Sequence, residues 1–349
     1  MSGDGAFAAG AISIAVETAD DRICSVRLRS SRPLRLSRLF RGRPADEAPL
    51  LAERLHALCG VAHGLAAASA VAAARGERAA PSTESERRLL CERATEMLRS
   101  SAAMTGAPPP APLREILALT REIALAPPRA SRQSVEARLG EASRALGLAE
   151  VSPPADTLFG ALRRACATDA TPPAEAPDAL SPDDDAAVLA GLRREGECFC
   201  AEPRIAGRAP ETGPFARHWR ETDMRGGAAA ARLQARMIDL TATLGRLAHG
   251  GGENSPRLSS SAPREGFAAV ETGRGALYHW ARLSTDDKIA DYAILAPTEW
   301  NFHPAGPFVA TLLGARMPRG RAAEAITRLA ALFDPCVAFH VELEEAVHA

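Results

Sequence analysis

The chain has 349 residues, 46% of them hydrophobic, and its 42 basic and 43 acidic residues leave a formal net charge of −1. That is enough apolar chain for one large core or two ordinary ones, which excludes a disordered or fibrous protein. The balanced charge gives no general electrostatic case for nucleic acid or an anionic membrane as partner, and no run approaches the roughly 18 apolar residues of a membrane span.

Ile12, Ile14 and Val16 alternate with small residues up to a polar break at 18–21, and the alternation resumes from Ile23 to Leu28, which predicts a β-hairpin. Leu51, Leu55, Leu58, Ala62 and Leu65 recur at helical spacing and put Cys59 on or beside a buried helical stripe. A second helix opens at the capping box Thr83-x-x-Glu86, turns Leu90, Met97 and Leu98 inward, and stops before the proline-rich stretch 107–112. Further helices are expected at about 112–126, 131–147 and 157–166, followed by a flexible acidic linker over 171–182. A helix near 183–195 leads into irregular chain through Gly213, and a long alanine-rich helix over 224–249 is stopped by the glycines at 250–252. Past a polar loop at 253–263, residues 266–297 have strand character. The last helix, 321–333, puts Ile326, Leu329, Ala330 and Phe333 on one face and ends at Asp334-Pro335, because proline disfavours a helical residue before it. Cys336 therefore sits just past a helix end.

Four segments, in order, resemble the large subunit of [NiFe]-hydrogenases. Residues 42–74, with Cys59-Gly60-Val61 at their centre, are similar to that family's Arg-Ile-Cys-Gly-x-Cys-x-x-x-His region, and His63 falls on or near the family's histidine. Residues 203–219 resemble its Pro-Arg-Tyr and Glu-x-Gly-Pro-Leu-Ala-Arg stretch. Residues 271–280 and 288–301 resemble Glu-Ala-Pro-Arg-Gly-Ala-Leu and Val-Pro-Thr-Thr-Trp-Asn, and Asp334-Pro335-Cys336 the closing Asp-Pro-Cys-x-x-Cys-x-x-His. Residues 75–202 have no such match.

The resemblance implies a reduced large-subunit-type fold, mainly α (α+β), with long central helices and a small β portion from the hairpin and the 266–297 region. It implies one such domain over 1–349, with a divergent Pro/Ala-rich helical middle at 76–202. In the family four cysteinyl sulfurs hold nickel, and the second of each pair bridges to an iron carrying cyanide and carbon monoxide. Here both bridging positions are gone: Phe339 stands at the second one, Ala9 where an active-site glutamate is expected, and Glu342 where a processing histidine would be. Losing two of four soft thiolates precludes a normal binuclear centre, so no nickel and no hydrogen turnover are expected.

What survives by resemblance is the cradle of an iron–diatomic unit. Arg274 corresponds to the arginine over the open coordination site, and Pro297 with Thr298 to the residues that line and hydrogen-bond a cyanide; Asp334 belongs to the same group. Cys59 and Cys336 would ligate one iron between them. This pattern resembles the HupK/HoxV hydrogenase-maturation family, which implies a non-catalytic scaffold for the Fe(CN)2CO unit. Its partners would be a carrier chaperone of the HypC type and the large-subunit precursor. The alternative is a metal-free, degenerate paralogue that stabilises a hydrogenase complex by protein contacts.

The absence of a basic segment leading into an apolar core at the N-terminus, together with seven scattered cysteines, suits a cytoplasmic, reducing setting. Cys24, Cys91 and Cys166 read as small buried hydrophobes, and Cys198-Phe199-Cys200 lacks the spacing of a zinc knuckle. His63 and His340 each follow a motif cysteine by four residues; on a helix that spacing shares a face, so either could replace a lost sulfur or simply be a core or surface histidine.

Overall fold

The computed structural model describes residues 10–33, 35–77, 82–125, 132–148, 150, 152–169, 171–249, 256–260, 262–317 and 319–345. Ala9 and the glycines at 250–252 lie outside them. The expected hairpin is present as β1 (Ala11–Ala19) and β2 (Arg22–Ser30), with Ile14 opposite Leu28. Its turn places Asp20 and Asp21 at φ 49° and 61°, the left-handed pair that a two-residue hairpin loop demands and that aspartate tolerates.

The next segment departs from the expected continuous helix. α1 (Ala48–Leu55) ends at His56, whose φ of −123° and ψ of 80° leave the helical region, and α2 (Gly60–Ala74) starts afresh. Cys59 is thus the residue capping α2, not part of a helical stripe, and Leu58 is exposed. Gly60 allows the two helices to cross closely, since a Cβ there would lie 2.7 Å from the Glu53 carbonyl oxygen.

α3 (Thr83–Ala103) is capped one residue earlier than its sequence suggested: the extended Ser82 accepts from the Ser85 amide at 3.1 Å, and Thr83 is already helical. α4 (Ala111–Leu125), α5 (Arg132–Ala145) and α6 (Leu158–Thr168) follow. The stretch 171–182 is no loose linker. Pro172 accepts from the Ala228 amide at 2.8 Å, and Asp178 and Leu180 exchange backbone bonds with Glu211 at 2.7 and 2.8 Å.

Then come α7 (Asp185–Glu195), α8 (Glu197–Ala201), α9 (Pro214–His218) and α10 (Gly227–Ala248). β3 (Arg257–Ser259) lies in what was read as loop, and with β4 (Glu265–Thr272), β5 (Gly275–Leu283) and β6 (Ile289–Leu295) it forms an antiparallel sheet in that order. α11 (Pro297–Asn301), α12 (Pro307–Leu312) and α13 (Arg319–Phe333) lead to β7 (Ala338–Glu345). β7 was not expected from the residue pattern. It pairs in parallel with β1, Val16 opposite Leu343, so the strands form two separate sheets.

The main core joins the inward face of β1 (Ile12, Ile14, Val16) to Leu90 and Met97 of α3, Leu240 of α10 and Leu329 of α13. The long helices are therefore central, and the fold is α+β as expected. A second core lies where α2 crosses the four-stranded sheet, Ala70 and Ala74 packing on Ala268 and Tyr292. Here the backbones nearly touch: a Cβ on Gly266 would sit 1.9 Å from the Ala70 carbonyl oxygen. No described helix is long and apolar enough to cross a membrane.

Candidate functional site

The α1–α2 break, the β4–β5 turn, the start of α11 and the turn after α13 meet around a cavity of about 500 Å³. Those four places supply Cys59, Arg274, Pro297 with Thr298, and Cys336, all of which line it together with His63. The Thr298 hydroxyl lies 3.4 Å from both the sulfur and the amide of Cys336, donating to the first and accepting from the second.

Burial pushes the Cys59 thiol far above its ordinary pKa, neighbouring Cys336 adds to the rise, and Arg274 partly offsets it. A metal binding at Cys59 must therefore displace the thiol proton. Arg274 stays charged despite its burial because the carboxylates of Asp334 and Glu96 flank it. Its Nη2 donates to Glu96 at 3.2 Å; its Nε lies 3.3 Å from Asp334 but without the angle of a hydrogen bond. Glu92 accepts from the amides of Val61 and Ala62 at 2.7 and 3.0 Å, satisfying the free N-terminus of α2 beside Cys59. Burial raises its pKa to about 7 against the pull of those amides.

Asp334 does not line the cysteine cavity; it braces Arg274 from behind, and its other oxygen accepts from Ser100 at 3.1 Å and faces Arg236 at 3.3 Å. His340 is not brought to the site. It lies on β7, not on a helix, with its exposed ring 3.5 Å from Glu342. His63 is wholly buried and hydrogen-bonded to His279. Cys91 and Cys166 are buried as expected, whereas Cys24 is exposed. Cys198 is exposed, while Cys200 is buried and reaches the cavity wall. Among the described residues no three His, Cys, Asp or Glu side chains are grouped to hold a metal ion.

Three site residues were missed in the sequence. Arg32, just past the hairpin, pairs with Glu299 at 2.5 Å on the cavity wall, and although burial opposes its charge, Glu299 favours it. Glu299 stands where the resembled motif has a second threonine, which was a visible signal; Arg32 and Glu96 carried none.

This architecture defines the class: the fold is that of hydrogenase large subunits. Residues 228–342 match the family model for nickel-dependent hydrogenase. A [NiFeSe] hydrogenase variant from Desulfovibrio vulgaris Hildenborough aligns with a TM-score of 0.66 at 16% identity, over 94% of this chain and 98% of that one, a likeness of fold alone. At full length the sequence is 39% identical to the hydrogenase expression/formation protein HupK of Rhizobium leguminosarum bv. viciae, over 98% of both chains. It is 34% identical to the hydrogenase expression/formation protein HoxV of Cupriavidus necator, over 90% of this chain and 92% of that one. The chain belongs to the HupK/HoxV family of hydrogenase expression/formation proteins.

Proposed function

We propose that this protein is a non-catalytic maturation factor that holds an Fe(CN)2CO unit between Cys59 and Cys336 and passes it to a hydrogenase large-subunit precursor. A carrier chaperone of the HypC type would bring the unit. The observation that carries this reading is that two thiols from opposite ends of the chain line one cavity together with Arg274 and Thr298. Soft thiolates suit low-valent iron, while a guanidinium and a hydroxyl suit the nitrogen of an anionic cyanide. Two sulfurs where the catalytic family has four leave no nickel site, and with it no hydrogen turnover.

Loading requires the Cys59 thiol proton to leave as iron arrives, which makes retention pH-dependent. The test is infrared spectroscopy of protein purified without oxygen from cells making the iron unit. Carbonyl and cyanide bands are expected in the wild type and absent in Cys59→Ser. A folded wild type with neither band rejects the iron scaffold and favours the metal-free paralogue, a reading supported by the lack of a third grouped ligand among the described residues.

A further inference from the structure

A chain of buried polar rings runs from the cavity wall into the sheet. His63 Nδ1 lies 2.9 Å from His279 Nε2, and His279 Nδ1 lies 2.7 Å from the Tyr292 hydroxyl. The three residues are 2%, 0% and 1% exposed, and no carboxylate joins either contact. Each of the two contacts holds one proton, so the chain must be polarised in one of two directions.

In the first direction Tyr292 accepts from His279, His279 accepts from His63, and His63 Nε2 is left with a lone pair that could bind a metal. In the second Tyr292 donates to His279 Nδ1, His279 Nε2–H donates to His63 Nδ1, and His63 Nε2 carries the proton. The first direction strands the Tyr292 proton. Among the described residues its hydroxyl is hydrogen-bonded to His279 alone, and its ring is buried and stacked on Phe40 at 4.2 Å. A buried donor without an acceptor is costlier than an acceptor with a spare lone pair, so the second direction holds. His56 fixes the plane of His63 by stacking on it at 3.4 Å, its own Nδ1 being 2.9 Å from the Ala52 carbonyl oxygen.

We infer that His63 meets the cavity as an N–H donor rather than a metal ligand, and that it grips a lone-pair acceptor of the bound iron unit, a cyanide nitrogen or a coordinated thiolate. Tyr292 and His279 are positioning residues that act through it. The donor assignment stands on the ring geometry; its ligand rests on the iron-scaffold reading above. It replaces the expectation that His63 substitutes for a lost sulfur.

Long-range proton–nitrogen correlation spectra of metal-free, histidine-labelled protein read the tautomers directly. His63 and His279 are both expected to be protonated at Nε2 in the wild type, with that preference lost in Tyr292→Phe. Wild-type His63 protonated at Nδ1 overturns the assignment, whether or not the variant folds. Infrared spectra of the loaded wild type and Tyr292→Phe then locate the acceptor. Cyanide bands that move alone place it at a cyanide nitrogen; cyanide and carbonyl bands that move together place it at a thiolate, whose donation sets the electron density on iron. Bands that do not move show that His63 does not touch the unit. A wild type without bands removes the iron unit itself, and the tautomer spectrum still decides what His63 presents to the cavity.

Discussion

Arg274 and Asp334 lie side by side, Nε to Oδ1 at 3.3 Å, and the aspartate is held at φ 54° in the left-handed region. Asp334 ends α13, its amide reaching back to the carbonyls of Ala330 and Ala331 at 3.2 Å each, and Cys336 follows two residues on. The arginine proposed to touch the cargo thus also steadies the turn that presents one of the two thiols.

Replacing Arg274 should therefore cost stability as well as cargo. Arg274→Ala leaves Glu96 and Asp334 buried without their shared cation, and breaking such a pair costs about 3–5 kcal/mol. Arg274→Lys keeps the charge but not the planar fork, and should lose about half as much. Urea denaturation measures both; an unmoved midpoint in Arg274→Ala would show that the carboxylates do not depend on it.

Cys59→Ser and Cys336→Ser should each abolish maturation of the cognate hydrogenase while leaving the circular dichroism spectrum unchanged. The matching control is Cys166→Ala rather than serine, because Cys166 is 1% exposed in an apolar core and a hydroxyl there costs about 1–3 kcal/mol. Full hydrogenase activity with either motif variant would speak for the metal-free reading.

Burial, helped by neighbouring His56, holds His63 and His279 neutral, with pKa values well below the ordinary histidine value of about 6.5. The unfolded chain takes up protons at these rings below that value and the folded chain does not. Their contribution is thus fully present above about pH 6.5 and is lost progressively as the pH falls below it, by up to about 1.4 kcal/mol per pH unit for each ring. Unfolding free energies measured between pH 7.5 and 5 should show this slope, and His279→Gln should flatten it. An equally steep slope in the variant would place the protons elsewhere.

Gly266→Ala should be among the most damaging single-methyl additions in the chain. The new methyl would meet the backbone of α2 at Ala70 and Ala74, at 1.9 and 2.3 Å, and neither atom can yield like a flexible side chain. Forcing α2 off the sheet should cost about 1–3 kcal/mol or more, visible as a lower thermal midpoint, and wild-type stability would mean that the helix can shift freely.

Much of this was legible in the residues themselves. The alternation at Ile12–Val16 marked β1, the face of Ile326, Leu329 and Phe333 marked α13, and the motifs around Cys59 and Cys336 pointed to two walls of one cavity. What escaped was set by tertiary contact. The apolar spacing of Leu55, Leu58 and Ala62 runs on through the break at His56, since periodicity does not register a single residue leaving the helical region. Val341 and Leu343 alternate for too few residues to announce β7, whose partner is more than 300 residues away. Glu96 on α3 and Arg32 beyond the hairpin are ordinary charged residues until the fold sets one against Arg274 and the other on the cavity wall.

The parallel pairing of β1 with β7 also sets a clock. At about 5–20 residues per second the ribosome delivers Ala338–Glu345 on the order of tens of seconds after Ala11–Ala19. Through that interval one edge of β1 has no partner and invites pairing with other chains. The three-stranded sheet is therefore complete only once synthesis has passed residue 345.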